Sequence, residues 1–135
     1  MKKALITGIA GFAGYHLAEF LSSKKIKVFG FYHPHHSSEN LELIKEKIEL
    51  IACDVLESGA LKKNLKNIKP DYVFHLAAFS SPAQSFKIPQ QTLENNILGQ
   101  LNLLESLAKM KSKAKILIIG SADEYGKIDE KLLPA

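Results

Sequence analysis

A chain of 135 residues with a formal charge of +4 at pH 7 has room for one compact domain and not for two. Its composition, 46% hydrophobic and 24% charged, excludes a disordered, collagen-like or low-complexity protein. The single cysteine, Cys53, excludes an internal disulfide and suits a reducing compartment.

Short apolar segments alternate with helical patterns along the whole chain. We predict strands over residues 4–7, 26–32, 48–53, 72–76 and 115–119. We predict helices over residues 12–23, 39–46, 58–68 and 89–111, and a loop over residues 77–88. Strands that alternate with crossover segments favour parallel pairing, so we expect a doubly wound α/β sheet in three layers with strand order 3-2-1-4-5.

The charge pattern argues against two classes of partner. All 18 basic residues are lysines, scattered among apolar residues and acids, whereas nucleic-acid binders concentrate charge and use arginine. The uncharged run over residues 4–18 contains Thr7, His16 and three glycines, which makes it too short and too polar to cross a bilayer. We therefore expect a cytoplasmic protein with no nucleic-acid partner, no membrane partner and no metal site.

The strongest local motif lies between the first strand and the first helix. Its glycines, Gly8, Gly11 and Gly14, follow the spacing T-G-x-x-G-x-x-G. Gly8 would permit the tight turn, Gly11 the approach of a pyrophosphate, and Gly14 the close packing of the helix. The first-turn N–H groups, those of Phe12 and Ala13 included, would bind the phosphates. The motif predicts a Rossmann-type dinucleotide site; the alternative is that the glycines serve only a tight turn.

Two predicted helices are amphipathic. In the first, Leu17, Phe20 and Leu21 share a face that we expect to be buried. In the helix over residues 89–111, Asn96 and Gln100 fall inside a broad apolar arc. The arc holds Leu93, Ile97, Leu101, Leu103, Leu104, Leu107 and Ala108, and the polar arc holds Asn95, Asn102, Ser106 and Lys109. A polar side chain on a buried face needs a partner, so Asn96 is a candidate functional residue.

The spacing of the glycines, with the aromatic Phe12, resembles that of the extended short-chain dehydrogenase/reductase family. The resemblance implies that Asp54 and Val55 lie beside the adenine; the alternative is that Asp54 caps the following helix. It also implies that the backbone of Leu76, Ala77 and Ala78 lines the cofactor. His75, which precedes them, is interpreted as a core histidine without a role in proton transfer.

Two later segments extend the same resemblance over essentially the whole chain. Asn95 to Gly99 is similar to a family motif in which Asn96 would support the active-site end of the sheet, although the neighbouring backbone alone would equally satisfy this side chain. The segment from Gly120 to Gly126 places Ser121 at the position of the catalytic Ser/Thr, where its hydroxyl would bond the oxygen of the sugar. The alternative for Ser121 is a turn or cap.

Taken together, the motifs look most like those of GDP-mannose 4,6-dehydratases and the related GDP-4-keto-6-deoxymannose reductases. The dehydratases carry a glutamate as base two residues after the catalytic Ser/Thr, and here that position is Asp123, followed by Glu124. This departure leaves a reductase or an epimerase open. Such enzymes act by hydride transfer at C4 of a nucleotide sugar, which would be the substrate.

The Tyr-x-x-x-Lys pair of the family is missing. The tyrosines at 15, 32, 72 and 125 are followed four residues later by Glu19, His36, Leu76 and Asp129. We therefore expect residues 1–135 to be the dinucleotide-binding domain of a longer enzyme, without turnover alone because the proton-transferring pair is absent. The alternative is a non-catalytic NAD(P)-binding module or a redox sensor.

The sequence also bears on cofactor choice and assembly. The end of the second strand has no acid before Glu39, and His33, His35 or Ser37 could donate to a 2′-phosphate, which favours NADP over NAD. The lack of arginine argues for NAD. The apolar fifth strand and the broad apolar arc of the helix over residues 89–111 predict a homo-oligomer.

Overall fold

The sheet has the predicted topology. A computed structural model describes residues 1–35, 41–121 and 125–126. Its five parallel strands are β1 (Lys3–Thr7), β2 (Lys27–Tyr32), β3 (Ile48–Ala52), β4 (Tyr72–His75) and β5 (Lys115–Ile118). Their order is β3-β2-β1-β4-β5, and Thr7 of β1 stands level with Phe31 of β2 and His75 of β4. The doubly wound α/β fold is therefore confirmed.

Two of the four predicted helices, over residues 12–23 and 58–68, have the predicted bounds, and the other two differ. The described helices are α1 (Phe12–Ser23), α2 (Ser58–Ile68), α3 (Pro82–Ser85), α4 (Pro89–Leu93) and α5 (Gly99–Lys109). The predicted helix over residues 89–111 is interrupted by a π-helical segment, Glu94–Leu98. The predicted loop over residues 77–88 contains α3. Within the described helices, none is long and apolar enough to cross a membrane.

The predicted helix over residues 39–46 is wrong in its described part. Residues 41–47 form successive turns, in which the N–H groups of Ile44 and Lys47 donate to the carbonyl groups three residues earlier. Leu41 and Ile44 are nevertheless buried, at 1% exposure each. Their spacing of three suits a turn as well as a helix, and for this reason the apolar pattern misled the prediction.

Two apolar clusters fill the two faces of the sheet. On one face Leu5, Val73 and Phe31 pack against α2 and α5, and on the other Ala4, Ile6 and Val28 pack against α1. Burial on both faces is the reason that the strands show no polar alternation. The sheet thus sits between helical layers, and its carboxyl edge remains open for a ligand.

Two predicted helix faces need correction. In α1 the buried residues are Gly14, Ala18 and Leu21, because small residues allow the helix to approach the sheet most closely. Phe20, which was predicted to be buried, is exposed and lies beneath the ammonium of Lys24. In α5 the buried face contains Ser106 as well as Leu103 and Leu107. Ser106 was expected on the polar arc, but a serine is small enough to lie against the sheet side of the helix.

Apart from the half-buried Leu104, the rest of the predicted apolar arc is exposed. Leu93, Ile97 and Leu101 are 58%, 58% and 49% exposed, and the side chains of β5 are exposed as well. An apolar edge strand and an apolar helix stripe favour pairing with a second chain. Self-association stays a prediction.

Three lysines near helix ends occupy the left-handed region that favours glycine. Lys25, Lys69 and Lys111 have φ values of 59°, 50° and 52° and follow α1, α2 and α5. A residue with a Cβ is strained there by about 1 kcal/mol. We expect Lys69→Gly to raise the free energy of unfolding by about 1 kcal/mol in urea titrations. Lys66→Gly, inside α2, is the matched control and should lower it by a similar amount; equal effects of both variants would contradict the assignment.

Candidate dinucleotide site

A cleft of about 340 Å³ opens at the carboxyl edge of the sheet, above the ends of β1, β2, β3 and β4. Its wall contains eight of the residues predicted to bind a cofactor: Gly8, Gly11, His33, Asp54, Val55, Leu76, Ala77 and Ala78. Parallel α/β sheets bind ligands at this edge, where the connections to neighbouring strands diverge. Residues distant in the sequence are therefore brought together as expected.

The glycine loop is packed too closely for side chains. Gly8 has a φ of 70°, and a Cβ on it would lie 2.8 Å from the backbone nitrogen of Ala77. A Cβ on Gly14 would lie 2.5 Å from the carbonyl oxygen of Gly8. The N–H of Ile9 donates to the carbonyl of Phe31 at 3.2 Å, which ties the loop to β2. The glycines thus serve both the turn and the approach of α1 to the sheet.

The first turn of α1 is suited to an anion. Gly11 is the N-cap residue and has no side chain with which to cap the helix. The structure describes the whole first turn, and no acidic residue lies in it. Its first N–H groups therefore have no partner within the helix and lie at the positive end of the helix dipole. The side chains of Phe12 and Ala13 are exposed and do not line the cleft, so any contact from these two predicted residues would come from their backbone.

His33 and Asp54 join the ends of β2 and β3 across the mouth of the cleft. The Asp54 carboxylate accepts a hydrogen bond from the Leu56 N–H at 2.9 Å through Oδ1. Its Oδ2 lies 3.4 Å from Nε2 of His33. The N-cap of α2 is Glu57 rather than Asp54, so the Asp54 side chain closes a turn before the helix and does not cap it. The carboxylate remains in the wall of the cleft.

A buried polar cluster lies directly beneath the glycine loop. Oγ1 of Thr7 and Nδ1 of His75 are 2.8 Å apart, with exposures of 0% and 6%. The same Oγ1 accepts hydrogen bonds from the N–H groups of Leu76 and Ala77, both at 3.2 Å. The interpretation of His75 as a core histidine with its polar atom paired agrees with this arrangement.

Asn96 is bonded to the backbone of Phe79 in both directions. Its Oδ1 accepts from the Phe79 N–H at 2.8 Å, and its Nδ2 donates to the Phe79 carbonyl at 3.0 Å. Asn96 itself does not line the cleft, but Phe79 and the neighbouring Asn95 do. The side chain thus holds the cleft wall from behind. The sequence indicates two alternatives for Asn96, a role at the active-site end of the sheet and hydrogen bonding to neighbouring backbone. The structure shows the hydrogen bonds to backbone.

The two candidate catalytic residues are placed differently. Ser121 follows β5 at the same carboxyl edge and is exposed, but it is not in the cleft wall. Asp123 lies outside the described residues, as does Glu124. The sugar-binding half of the predicted site therefore stays a prediction.

The cleft also contains residues that the sequence analysis did not select: Ala10, Phe31, Tyr32, Cys53, Phe79 and Asn95. Most of them are sequence neighbours of a predicted residue at a strand end. Predicting the residues on either side of each such position as well would have found them. Cys53 is buried, and its burial raises the pKa of the thiol, which therefore stays protonated at neutral pH.

Comparisons with known proteins agree with this geometry. The family model described as GDP-mannose 4,6 dehydratase matches residues 5–133. The chain is 34% identical to GDP-mannose 4,6 dehydratase 2 of Caenorhabditis elegans, over 96% of this chain and 37% of that protein. It is 32% identical to GDP-6-deoxy-D-mannose reductase of Pseudomonas aeruginosa, over 98% and 38% respectively.

A solved structure shows the same fold. The UDP-glucose 4-epimerase of Bifidobacterium longum, in complex with NAD⁺ and UDP, superposes with a TM-score of 0.84 and 27% identity. The match covers 93% of this chain and 38% of that one. The chain thus spans about two fifths of the length of these relatives. With nearly its whole length matched by the family model, the chain belongs to the GDP-mannose 4,6 dehydratase family.

Proposed function

We propose that this chain forms the nicotinamide-dinucleotide-binding part of an enzyme that modifies a nucleotide sugar. The observation that carries the proposal is the glycine loop: Gly8 and Gly11 line the cleft, and a Cβ on Gly11 would meet only one atom of the described chain within 4 Å, the carbonyl oxygen of Gly8 at 3.3 Å. Backbone without side chains, next to unpaired helix N–H groups, fits a pyrophosphate. The family relationship favours the nucleotide sugar as substrate, of the GDP-mannose type.

The chain's own residues would share the work along the cleft. The loop over residues 8–11 and the start of α1 would hold the pyrophosphate, Asp54 and Val55 would face the adenosine half, and the backbone at Leu76 to Ala78 would support the remaining half. The bound cofactor would supply hydride exchange with C4 of the sugar. Ser121, beyond the end of β5, would orient the reacting oxygen, with Asp123 as the carboxylate nearest in sequence to the family's base.

NADP is the cofactor that we propose. No acid lies at the described end of β2, where NAD sites commonly hold the ribose diol with a carboxylate. His33 stands there instead. Its Nδ1 accepts a hydrogen bond from the His35 N–H at 3.2 Å, so its donor is Nε2, which lies 3.4 Å from Oδ2 of Asp54 and would exchange that carboxylate for a 2′-phosphate. An imidazolium at this position would attract the extra charge of that phosphate, and salt would screen the attraction.

Titration with NADPH and NADH tests both levels of the proposal. The emission of the reduced nicotinamide is the readout, because it is excited at wavelengths at which aromatic side chains do not absorb. We expect both ligands to bind, and NADPH to bind about tenfold more tightly at low salt, as one charge-assisted hydrogen bond would provide. The advantage should shrink at high salt and in a His33→Gln variant. Tighter binding of NADH would overturn the choice of NADP, and a lack of binding of either ligand would overturn the proposed function.

A further inference from the structure

The hydrogen bonds around Thr7 fix which of its atoms carries which role. A hydroxyl has one proton to donate and two lone pairs to accept with. Oγ1 accepts a hydrogen bond from the Ala77 N–H and shares the Leu76 N–H with the main-chain carbonyl of Thr7, each at 3.2 Å, so both acceptor directions of Oγ1 face an N–H group. The proton of Thr7 must therefore point at Nδ1 of His75, which accepts it at 2.8 Å. His75 is thus neutral, with its own proton on Nε2.

The two N–H groups held by Thr7 belong to the wall of the cleft. Leu76 and Ala77 both line it, and the backbone of Ala77 packs flush against Gly8, so close that a Cβ would not fit. One hydroxyl therefore fastens the segment after β4 to the glycine loop after β1. The orientation of this hydroxyl depends on a single acceptor, Nδ1 of His75.

We infer that His75 is a positioning residue, whose neutral ring holds the glycine loop and the segment after β4 together through the Thr7 hydroxyl, so that uptake of a proton by the ring loosens the wall of the dinucleotide cleft. A protonated Nδ1 would carry a hydrogen toward Oγ1, whose lone pairs are already in use. The Thr7 proton would lose its acceptor at the same time. One of the three hydrogen bonds around Oγ1 would then have to break.

The surroundings of the ring favour the neutral form. Burial lowers the pKa of His75 below its ordinary value of 6.5, and no charged group in the described part of the chain contributes to the shift. The charged side chains of the elements on this face of the sheet are exposed, or lie at the far end of a strand: Lys3 of β1, Lys27 of β2, Glu49 of β3, Lys62, Lys63 and Lys66 of α2, Glu105 and Lys109 of α5, and Lys115 of β5. None of them can stabilise an imidazolium in contact with Thr7.

The sign of the pH dependence follows from the lowered pKa. The unfolded chain takes up a proton on His75 at a higher pH than the folded chain does. The contribution of the neutral ring to stability is therefore complete above about pH 7, and it decreases as the pH falls through 6.5 toward the pKa in the folded protein. The geometry of the folded cleft wall should change at a lower pH than stability begins to fall, where the ring of the folded protein itself takes up the proton.

The first test does not involve a cofactor. Long-range ¹H–¹⁵N correlation spectra of the whole chain report the tautomer of each histidine, and we expect His75 to carry its proton on Nε2 near pH 7.5. Hydrogen exchange of the Ala77 amide should show about tenfold less protection once the same spectra show that the His75 ring is protonated, as the loss of one hydrogen bond would produce. A proton on Nδ1, or unchanged protection of Ala77, would overturn the inference.

Variants separate positioning from mere packing. His75→Asn offers a carbonyl acceptor that does not titrate, so Ala77 protection should remain near the parent value and lose its pH dependence. His75→Leu removes the acceptor and should lower protection at every pH. Thr7→Ser keeps the hydroxyl and should behave as the parent, whereas Thr7→Val should resemble His75→Leu. If His75→Asn retained the full pH dependence, the proton would be acting elsewhere and the inference would fail.

The consequence for ligand affinity rests on the proposed function. NAD⁺ is the probe, because it has no 2′-phosphate that titrates in this range, and a His33→Gln background removes the histidine that lines the cleft. We expect its affinity to fall about tenfold as the His75 ring becomes protonated, in parallel with Ala77 protection. A change in protection with no NAD⁺ binding at any pH would remove the proposed function and leave the inference about His75 intact.

Discussion

Replacement of Gly14 by alanine is expected to lower the free energy of unfolding by about 3 kcal/mol, the upper part of the range for overpacking a close contact. The added Cβ would lie 2.5 Å from the carbonyl oxygen of Gly8 and 2.7 Å from the Cα of Ile9. Both neighbours are backbone atoms, so no side chain can rotate away. The start of α1 would have to move off the loop, and dinucleotide affinity should fall with it.

Gly59→Ala is the matched control for that prediction. Gly59 lies in α2, and no described atom is within 4 Å of the position of its Cβ. Alanine is the better helix former, so this variant should gain about 0.5–1 kcal/mol. Urea titrations followed by circular dichroism measure both changes. Equal stability of Gly14→Ala and the parent protein would show that the contact between α1 and the loop is looser than described.

Asn96→Ala should cost about 2 kcal/mol of stability and weaken dinucleotide binding. The substitution leaves the N–H and the carbonyl of Phe79 without the partners that lie at 2.8 Å and 3.0 Å. Unpaired backbone groups in a partly buried wall carry most of that cost. Gln91→Ala, at an exposed position of α4, removes a side-chain amide without such bonds and should change stability by less than about 0.5 kcal/mol.

Ligand titrations distinguish a local role of Asn96 from a general loss of stability. In buffer without denaturant, at a temperature at which the variant remains folded, the affinity for NADPH should still be reduced, because Phe79 lines the cleft. Full affinity in a destabilised but folded Asn96→Ala protein would mean that Asn96 supports the fold and not the cleft.

The strand order and the glycine loop could be predicted because each has a local cause. Burial on both faces leaves uninterrupted apolar strands, and the strand–turn–helix setting gives the three glycines their meaning. The residues of the cleft wall could be predicted for a similar reason. His33, Asp54 and Leu76 lie within two residues of strand ends, and parallel strands bring their carboxyl ends to one edge of the sheet.

What could not be predicted depends on contacts between distant segments. Nothing near Thr7 in the sequence indicates that its hydroxyl bonds three groups at the end of β4, about seventy residues later in the chain. Asn102, expected on the polar side of its helix, donates to the carbonyl groups of Val55 and Leu56, which lie 47 and 46 residues earlier. Helical periodicity shows which residues share a face of one helix, but it does not show which segment of the chain packs against that face.

The π-helical segment Glu94–Leu98 makes the helical stretch before α5 intolerant of a change in length. A π turn accommodates one residue more than an α turn, so deleting a residue there would allow regular α-helical bonding from Pro89 onward. Everything on the amino-terminal side would then rotate by about 100° relative to α5. Asn96 would turn away from Phe79, although every remaining side chain was unchanged. In the evolution of this chain, single-residue deletions at this point would therefore be harder to accept than most substitutions.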